Sequence, residues 1–301
     1  MDKQEDDDVQ QLDLFTALVG HLPLRNERIS MSLPFLHLAK TPRKEPIVYN
    51  KRGVYLKVSP VAGGSISNIW DWDYLLVIIS IFNQRVEDGL EDGKRTVKIA
   101  ITDLLKKAGR GTSTNDYNGC IASLKRLKQT QCETSIGAGT QDEKDTVFFN
   151  WLEHVHVHRV TKKKPDDLKK AKTIDTKRKY VSVTIPEWLH SAVCTERRVL
   201  AIPPEYFKLT GGLERFIFNC ARRHAGNQEF GWRMTFQELY DRSGTTNSFK
   251  NFTFRLKKII KKNELPNYAM IGDKGQGKID VVTFIPKATS KRDRRFPTLD
   301  I

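Results

Sequence analysis

At 301 residues the chain is too long for one compact core of ordinary size and comfortable for two, and a hydrophobic content of 39% excludes wholesale disorder. A formal net charge of +15 points to a polyanionic partner, because each Lys or Arg that neutralises a phosphate releases a condensed counterion. No run approaches the ~18 apolar residues that span a bilayer, and the acidic start Asp2 to Asp8 lacks a signal-type apolar core.

The four cysteines (Cys120, Cys132, Cys194, Cys220) form no C-x-x-C pair. They read as small buried hydrophobes in a reducing cytoplasm rather than as disulfides or a zinc cluster, and no cofactor is expected.

In chain order, residues 1–27 read as a mobile acidic leader carrying an apolar island, Gln11-Leu12-Asp13-Leu14-Phe15. Residues 28–160 read as a first unit. Strand alternation begins at Ile47 and continues through Val54-Tyr55-Leu56-Lys57-Val58, with a turn at Gly63-Gly64. Leu75, Leu76, Ile78, Ile79 and Phe82 give Asp73 to Arg85 the broad apolar face of a buried helix. A strand over 97–101 is followed by a helix from Asp103 to Ala108, with Thr102 as its cap and Gly109 as its stop. A second helix runs from Asn115 to Lys128. Two strands, 132–136 and 146–158, close the unit.

A charge-dense linker over 161–179 separates this from a second unit, 180–286, where the same order recurs. A strand (180–185) and a short helix (186–193) precede a long helix (212–225). A strand near 231–235 leads to a helix pair, Phe236 to Arg242 and Ser248 to Lys262, with Asn247 as the cap of the second. A hairpin around Gly272 to Gly277 follows, and 287–301 form a basic tail. The fold class expected is α+β, a mixed α/β chain of two tandem winged helix-turn-helix domains.

The strongest physical signal is the helix ending at Lys262. From Arg242 to Lys262 there are seven basic side chains (Arg242, Lys250, Arg255, Lys257, Lys258, Lys261, Lys262) and no acid to offset their repulsion. A solvated amphipathic helix is the bland alternative; a phosphate-facing surface accounts better for the missing acids. Lys250, Asn251 and Arg255 are the candidates for reading base edges, and Lys257, Lys258, Lys261 and Lys262 for holding the backbone. Thr245 and Asn247 in the turn, and Lys274 and Lys278 on the hairpin, extend the candidate surface. In the first unit Arg110, Ser113 and Asn115 at a helix start, with Lys125 and Arg126, form a weaker candidate. A capped helix in a dimer interface explains those residues equally well.

Two enzymatic readings are set aside. Gly272 to Lys278 has phosphate-loop spacing, yet Ile279 stands where a Ser or Thr is needed and a strand follows. His154-Val155-His156-Val157-His158 puts three imidazoles on one strand face, and a metal-dependent nickase uses a His-apolar-His pair to hold a metal beside a nucleophilic tyrosine. No acid lies close by, and Tyr206 is the nearest tyrosine to a nucleophile motif. No resident metal is expected.

Gln11-Leu12-Asp13-Leu14-Phe15 looks like the pentapeptide by which bacterial replication proteins dock on the polymerase sliding clamp: Leu14 and Phe15 fill a pocket, Leu12 a neighbouring recess, and Gln11 hydrogen-bonds at the rim. An apolar staple onto the first unit is the alternative. Across 27–285 the chain resembles the plasmid replication initiator protein A family. The resemblance rests on Glu27-Arg28, Met31, Pro34-Phe35-Leu36, Gly64-Ser65-Ile66, Asp71-Trp72-Asp73, and Leu124-Lys125-Arg126-Leu127-Lys128-Gln129-Thr130. Phe249-Lys250-Asn251-Phe252 and Leu265-Pro266-Asn267-Tyr268 add to it.

That resemblance implies a non-enzymatic bacterial initiator, cytoplasmic and plasmid-associated, that binds repeated origin sequences in duplex DNA and opens nearby duplex. It also implies recruitment of the host helicase and host initiator, and a monomer–dimer equilibrium. A winged-helix transcriptional repressor and, further off, an origin nickase are the rival readings.

Overall fold

The computed structural model describes residues 24–136, 146–158, 179–226, 228, 230–275 and 280–287. The architecture is mixed α and β, with seven α-helices among the described residues. The core is built on α1 (Trp72–Glu87), whose central run is apolar on every side: Leu75, Leu76, Val77, Ile78 and Ile79 are all fully buried. A helix without a polar stripe satisfies its surface only when wrapped.

Three layers do the wrapping. An antiparallel sheet has the order β2 (Ile47–Lys51), β3 (Val54–Pro60), β5 (Thr130–Thr134), β6 (Val147–Asn150). Beside α1 stand α2 (Ile101–Lys107) and α3 (Thr114–Gln129). A second sheet has the order β4 (Thr96–Ala100), β8 (Tyr180–Thr184), β7 (His154–His158). Trp151, fully buried, packs edge-on to Trp72 with ring centroids 4.5 Å apart.

Several local expectations are corrected. The strand expected over 146–158 is two: β6 pairs with β5, and β7 pairs with β8 in another sheet, with buried Trp151 and Leu152 making the break. Burying both residues at the sheet corner outweighs an unbroken ladder. The strand expected to open the second unit, β8, is hydrogen-bonded between β4 and β7. The first helix of the first pair starts at Ile101 after Ala100, so Thr102 lies inside it and is not its cap. Its successor extends over Thr114–Gln129 and is capped by Ser113.

The remainder begins with α4 (Glu187–His190), which passes into a π-helical turn, Ser191–Thr195. Strand β9 (Val199–Ala201) pairs with β1 (Arg25–Glu27). Then come α5 (Gly212–His224), β10 (Trp232–Thr235), α6 (Phe236–Ser243) and α7 (Phe249–Lys262). A hairpin of β11 (Tyr268–Lys274) and β12 (Asp280–Pro286) closes a sheet in the order β10, β12, β11.

The two halves are tied by charge and by close backbone approach. Asp73, fully buried, is bonded by Arg215 of α5 at 2.6 Å and by Arg110 at 2.7 Å. Gly212 lies so near Leu38 that a Cβ would sit 2.0 Å from its carbonyl oxygen. The α6–α7 turn docks on β2: a Cβ at Gly244 would meet Pro34 Cβ at 2.7 Å, and Arg43 Nη1 donates to the Gly244 carbonyl at 2.6 Å. Lys51 pairs with Asp241 at 2.6 Å and Arg52 with Glu238 at 2.7 Å.

Candidate nucleic-acid interface

Local chemistry makes the helix pair. Thr235 caps α6 by accepting from the Glu238 amide at 3.0 Å, and Gly244, with φ at 57°, ends it in the left-handed region. Ser248 caps α7 by accepting from the Asn251 amide at 3.3 Å. This corrects the expected cap at Asn247, whose carbonyl instead accepts from Tyr240 Oη at 2.9 Å. Asn263, also left-handed, closes α7, and its side-chain oxygen accepts from the Met270 amide at 2.8 Å, tying the helix end to the hairpin.

Phe252 and Leu256 anchor α7 inward, both buried. The opposite face is exposed at Lys250, Asn251, Arg255, Lys257, Lys258, Lys261 and Lys262. Two of these meet acids: Lys257 bonds Asp280 of the hairpin at 3.1 Å and Lys262 bonds Glu264 at 2.6 Å. Among the described residues Lys250, Arg255, Lys258 and Lys261 have no ion pair, so their charge is left to solvent. Lys274 also bonds Asp280, and the two lysines hold that carboxyl below its ordinary range, the Lys274 hydrogen bond foremost.

At the N-terminal end of α7 a cleft of about 470 Å³ is lined by Thr245, Asn247, Arg255 and Lys258 together with His37 and Gly212.

The expected site is trimmed elsewhere. Arg242 is 15% exposed, pairs with Glu238 at 3.0 Å and reaches the Ser32 carbonyl, so it braces the fold rather than facing outward. Arg126 forks onto Asp71 at 2.6 and 2.8 Å, and Arg110 is taken by Asp73. Ser113 is held in a capping box with Asp116, donating to its carboxylate at 2.6 Å. Of the first-unit candidates, Ser113, Asn115 and Lys125 are exposed, Ser113 with its hydroxyl engaged by the cap. Buried acids at the start of α1 therefore redirect the arginines that sequence counts as surface charge.

Lys278, the clamp-type segment Gln11 to Phe15, most of the linker and the basic tail lie outside the described residues. Gly272, Asp273 and Lys274 are strand, so the phosphate-loop spacing does not lead into a loop there.

Sequence reasoning also missed an aromatic contribution. Phe254 is 60% exposed within the basic face, with Lys258 Nζ 4.4 Å from its ring centroid. Its position off the 252, 256, 259 spacing was the available signal. Phe249 is 40% exposed and rests edge-on against Tyr240 with centroids 5.3 Å apart. Tyr206, the tyrosine weighed for nicking, is fully buried beneath Arg215, whose guanidinium lies 5.0 Å from the ring centroid. On β7, His158 Nε2 is 2.7 Å from Ser182 Oγ, and the rings of His156 and His158 lie 4.3 Å apart.

The family described as replication initiator protein A matches residues 25–270. A protein of Wigglesworthia glossinidia brevipalpis, described by name as a replication protein, is 29% identical over 244 residues, covering 81% of this chain and 83% of that one. The crystal structure of domains 2 and 3 of RctB shares the fold at a TM-score of 0.57 and 14% identity, over 83% of this chain and 94% of that chain. A second structure of those RctB domains gives 0.53 over 84% and 95%. Among the described residues no helix is long and apolar enough to cross a membrane.

Proposed function

The chain belongs to the replication initiator protein A family, and from that premise we propose that it binds repeated duplex sequences at a replication origin, opens the adjoining duplex and gathers host replication proteins. On this reading α6 and α7 are the helix-turn-helix of a winged domain and β11–β12 is its wing. Helix α7 enters the major groove, with Lys250, Asn251 and Arg255 at base edges and Lys258 and Lys261 on phosphates. The protein acts by binding, not by catalysis. The observation that carries the proposal is the outward face of α7, where Lys250, Arg255, Lys258 and Lys261 stand exposed without a carboxylate partner among the described residues. Self-repulsion of that kind is relieved by a polyanion.

Footprinting on the DNA that flanks this chain's gene tests it, with evenly spaced protected repeats as the expected result. Lys250→Ala or Arg255→Ala should weaken specific binding by about 1–3 kcal/mol if each reads a base. Equal loss on random DNA would reduce both residues to phosphate contacts, and the absence of any preferred site would sink the proposal.

A transcriptional repressor would use the same helix, and the clamp-type segment separates the two roles. Sliding clamp should be retained by the intact chain and released by Leu14→Ala with Phe15→Ala. A chain that never retains the clamp favours the repressor.

A further inference from the structure

Away from the basic face, the α1–β4 connection meets the turn that follows α4. Glu91, His190 and Cys194 each present one ligand atom there, and these atoms lie within 4.8 Å of one another. Two of the three come from a single short stretch, because His190 ends α4 and the π-helical turn carries Cys194. Turns of this kind re-aim side chains and are frequent at functional sites.

Glu91 arrives from the other side. Its Oε1 is 3.1 Å from His190 Nε2, while its Oε2 is buried with no hydrogen-bond partner. The His190 ring is held edge-on to Phe82, centroids 5.6 Å apart. Cys194 thus departs from the expected inert thiol: it is half-buried, whereas Cys120, Cys132 and Cys220 are fully buried.

We propose that Glu91, His190 and Cys194 form a three-ligand site for zinc, with a solvent molecule completing the tetrahedron. Thiolate, imidazole and carboxylate are a donor set zinc takes, and contraction by about an ångström would bring the three atoms to bonding distances near 2.0–2.3 Å from one ion. Charge also balances. The carboxylate and the thiolate offset the two positive charges of the ion, and the imidazole is neutral. As the sulfur–zinc bond forms, the thiol proton leaves to solvent.

Two guanidiniums nearby have acids of their own: Arg85 pairs with Asp92 at 3.2 Å and Arg197 with Glu87 at 3.4 Å. Among the described residues the histidines of β7 do not gather into a comparable group. An ion here would pin the connection after α1 to the turn that leads into β9.

The test uses the full chain, stripped by chelator and titrated with Co²⁺ alone and then Zn²⁺. The expected result is a tetrahedral cobalt spectrum with a thiolate-to-cobalt charge-transfer band, displaced by one zinc per chain. Cys194→Ser should abolish that band, and His190→Ala should weaken zinc binding at least about tenfold, each with unchanged far-ultraviolet circular dichroism. Should His190→Ala fail to fold, Glu91→Gln replaces it. His156→Ala should keep the band. An octahedral spectrum without the band in the unaltered chain, a band that survives Cys194→Ser, or one lost in His156→Ala overturns the proposal.

Discussion

His224, at the end of α5, shows what burial does to a single titratable group. Its ring stacks on Trp232, centroids 5.3 Å apart, and its Nε2 has no hydrogen-bond partner. Burial first, and then Arg223, Arg242 and Arg28, lower its pKa from 6.5 to about 4. The sign follows from linkage: the unfolded chain takes the proton more readily, so stability is complete above about pH 6.5 and falls as the pH drops toward about 4. His224→Gln should flatten the denaturant midpoint against pH in that window. Parallel profiles for the variant and the unaltered chain would remove His224 as the cause. At the same scale, residue type alone did not separate Lys250, left to solvent, from Arg110 and Arg126, each claimed by an acid distant in sequence, or from Arg242, claimed by Glu238 one helical turn before it.

The element that matters most is the α6–turn–α7 unit, and its orientation is set by Gly244. That residue combines a φ of 57° with contacts a side chain cannot share, since a Cβ would lie 2.7 Å from Pro34 Cβ and 2.9 Å from Ile47 Cγ2. Gly244→Ala should therefore destabilise by more than about 1 kcal/mol, from backbone conformation and crowding together. Urea denaturation checks this, and an unchanged midpoint would mean the turn is not seated on β2. Apolar spacing made α7 legible in the sequence because one of its faces is a core face at Phe252 and Leu256. Caps were harder to place by pattern, since Asn247 and Ser248 are both competent and only the backbone path decides between them.

Across the whole molecule, Asp73 is the joint. A buried carboxylate shared by Arg110 and Arg215 links the turn before α3 to α5, and removing it leaves two guanidiniums without their anion. Asp73→Ala should cost about 3–5 kcal/mol in urea unfolding. A loss below about 1 kcal/mol would show that the pairs act like exposed ones and do not couple the halves. Strand pairing belongs to this scale too. Strand β8 completes a sheet with β4 and β7 from across the linker, and its pairing with β4 joins residues some eighty positions apart that no local period brings together.

What sequence determined by itself was the class of partner, the family resemblance and the existence of the long helices, because net charge, short motifs and apolar periodicity are properties of neighbours along the chain. Tertiary structure alone decided which cations face solvent, which strands share a sheet, and that Glu91 meets His190 and Cys194. Those outcomes depend on groups far apart in sequence competing for the same buried space and the same few counter-charges, and that competition is settled only when the core closes around α1.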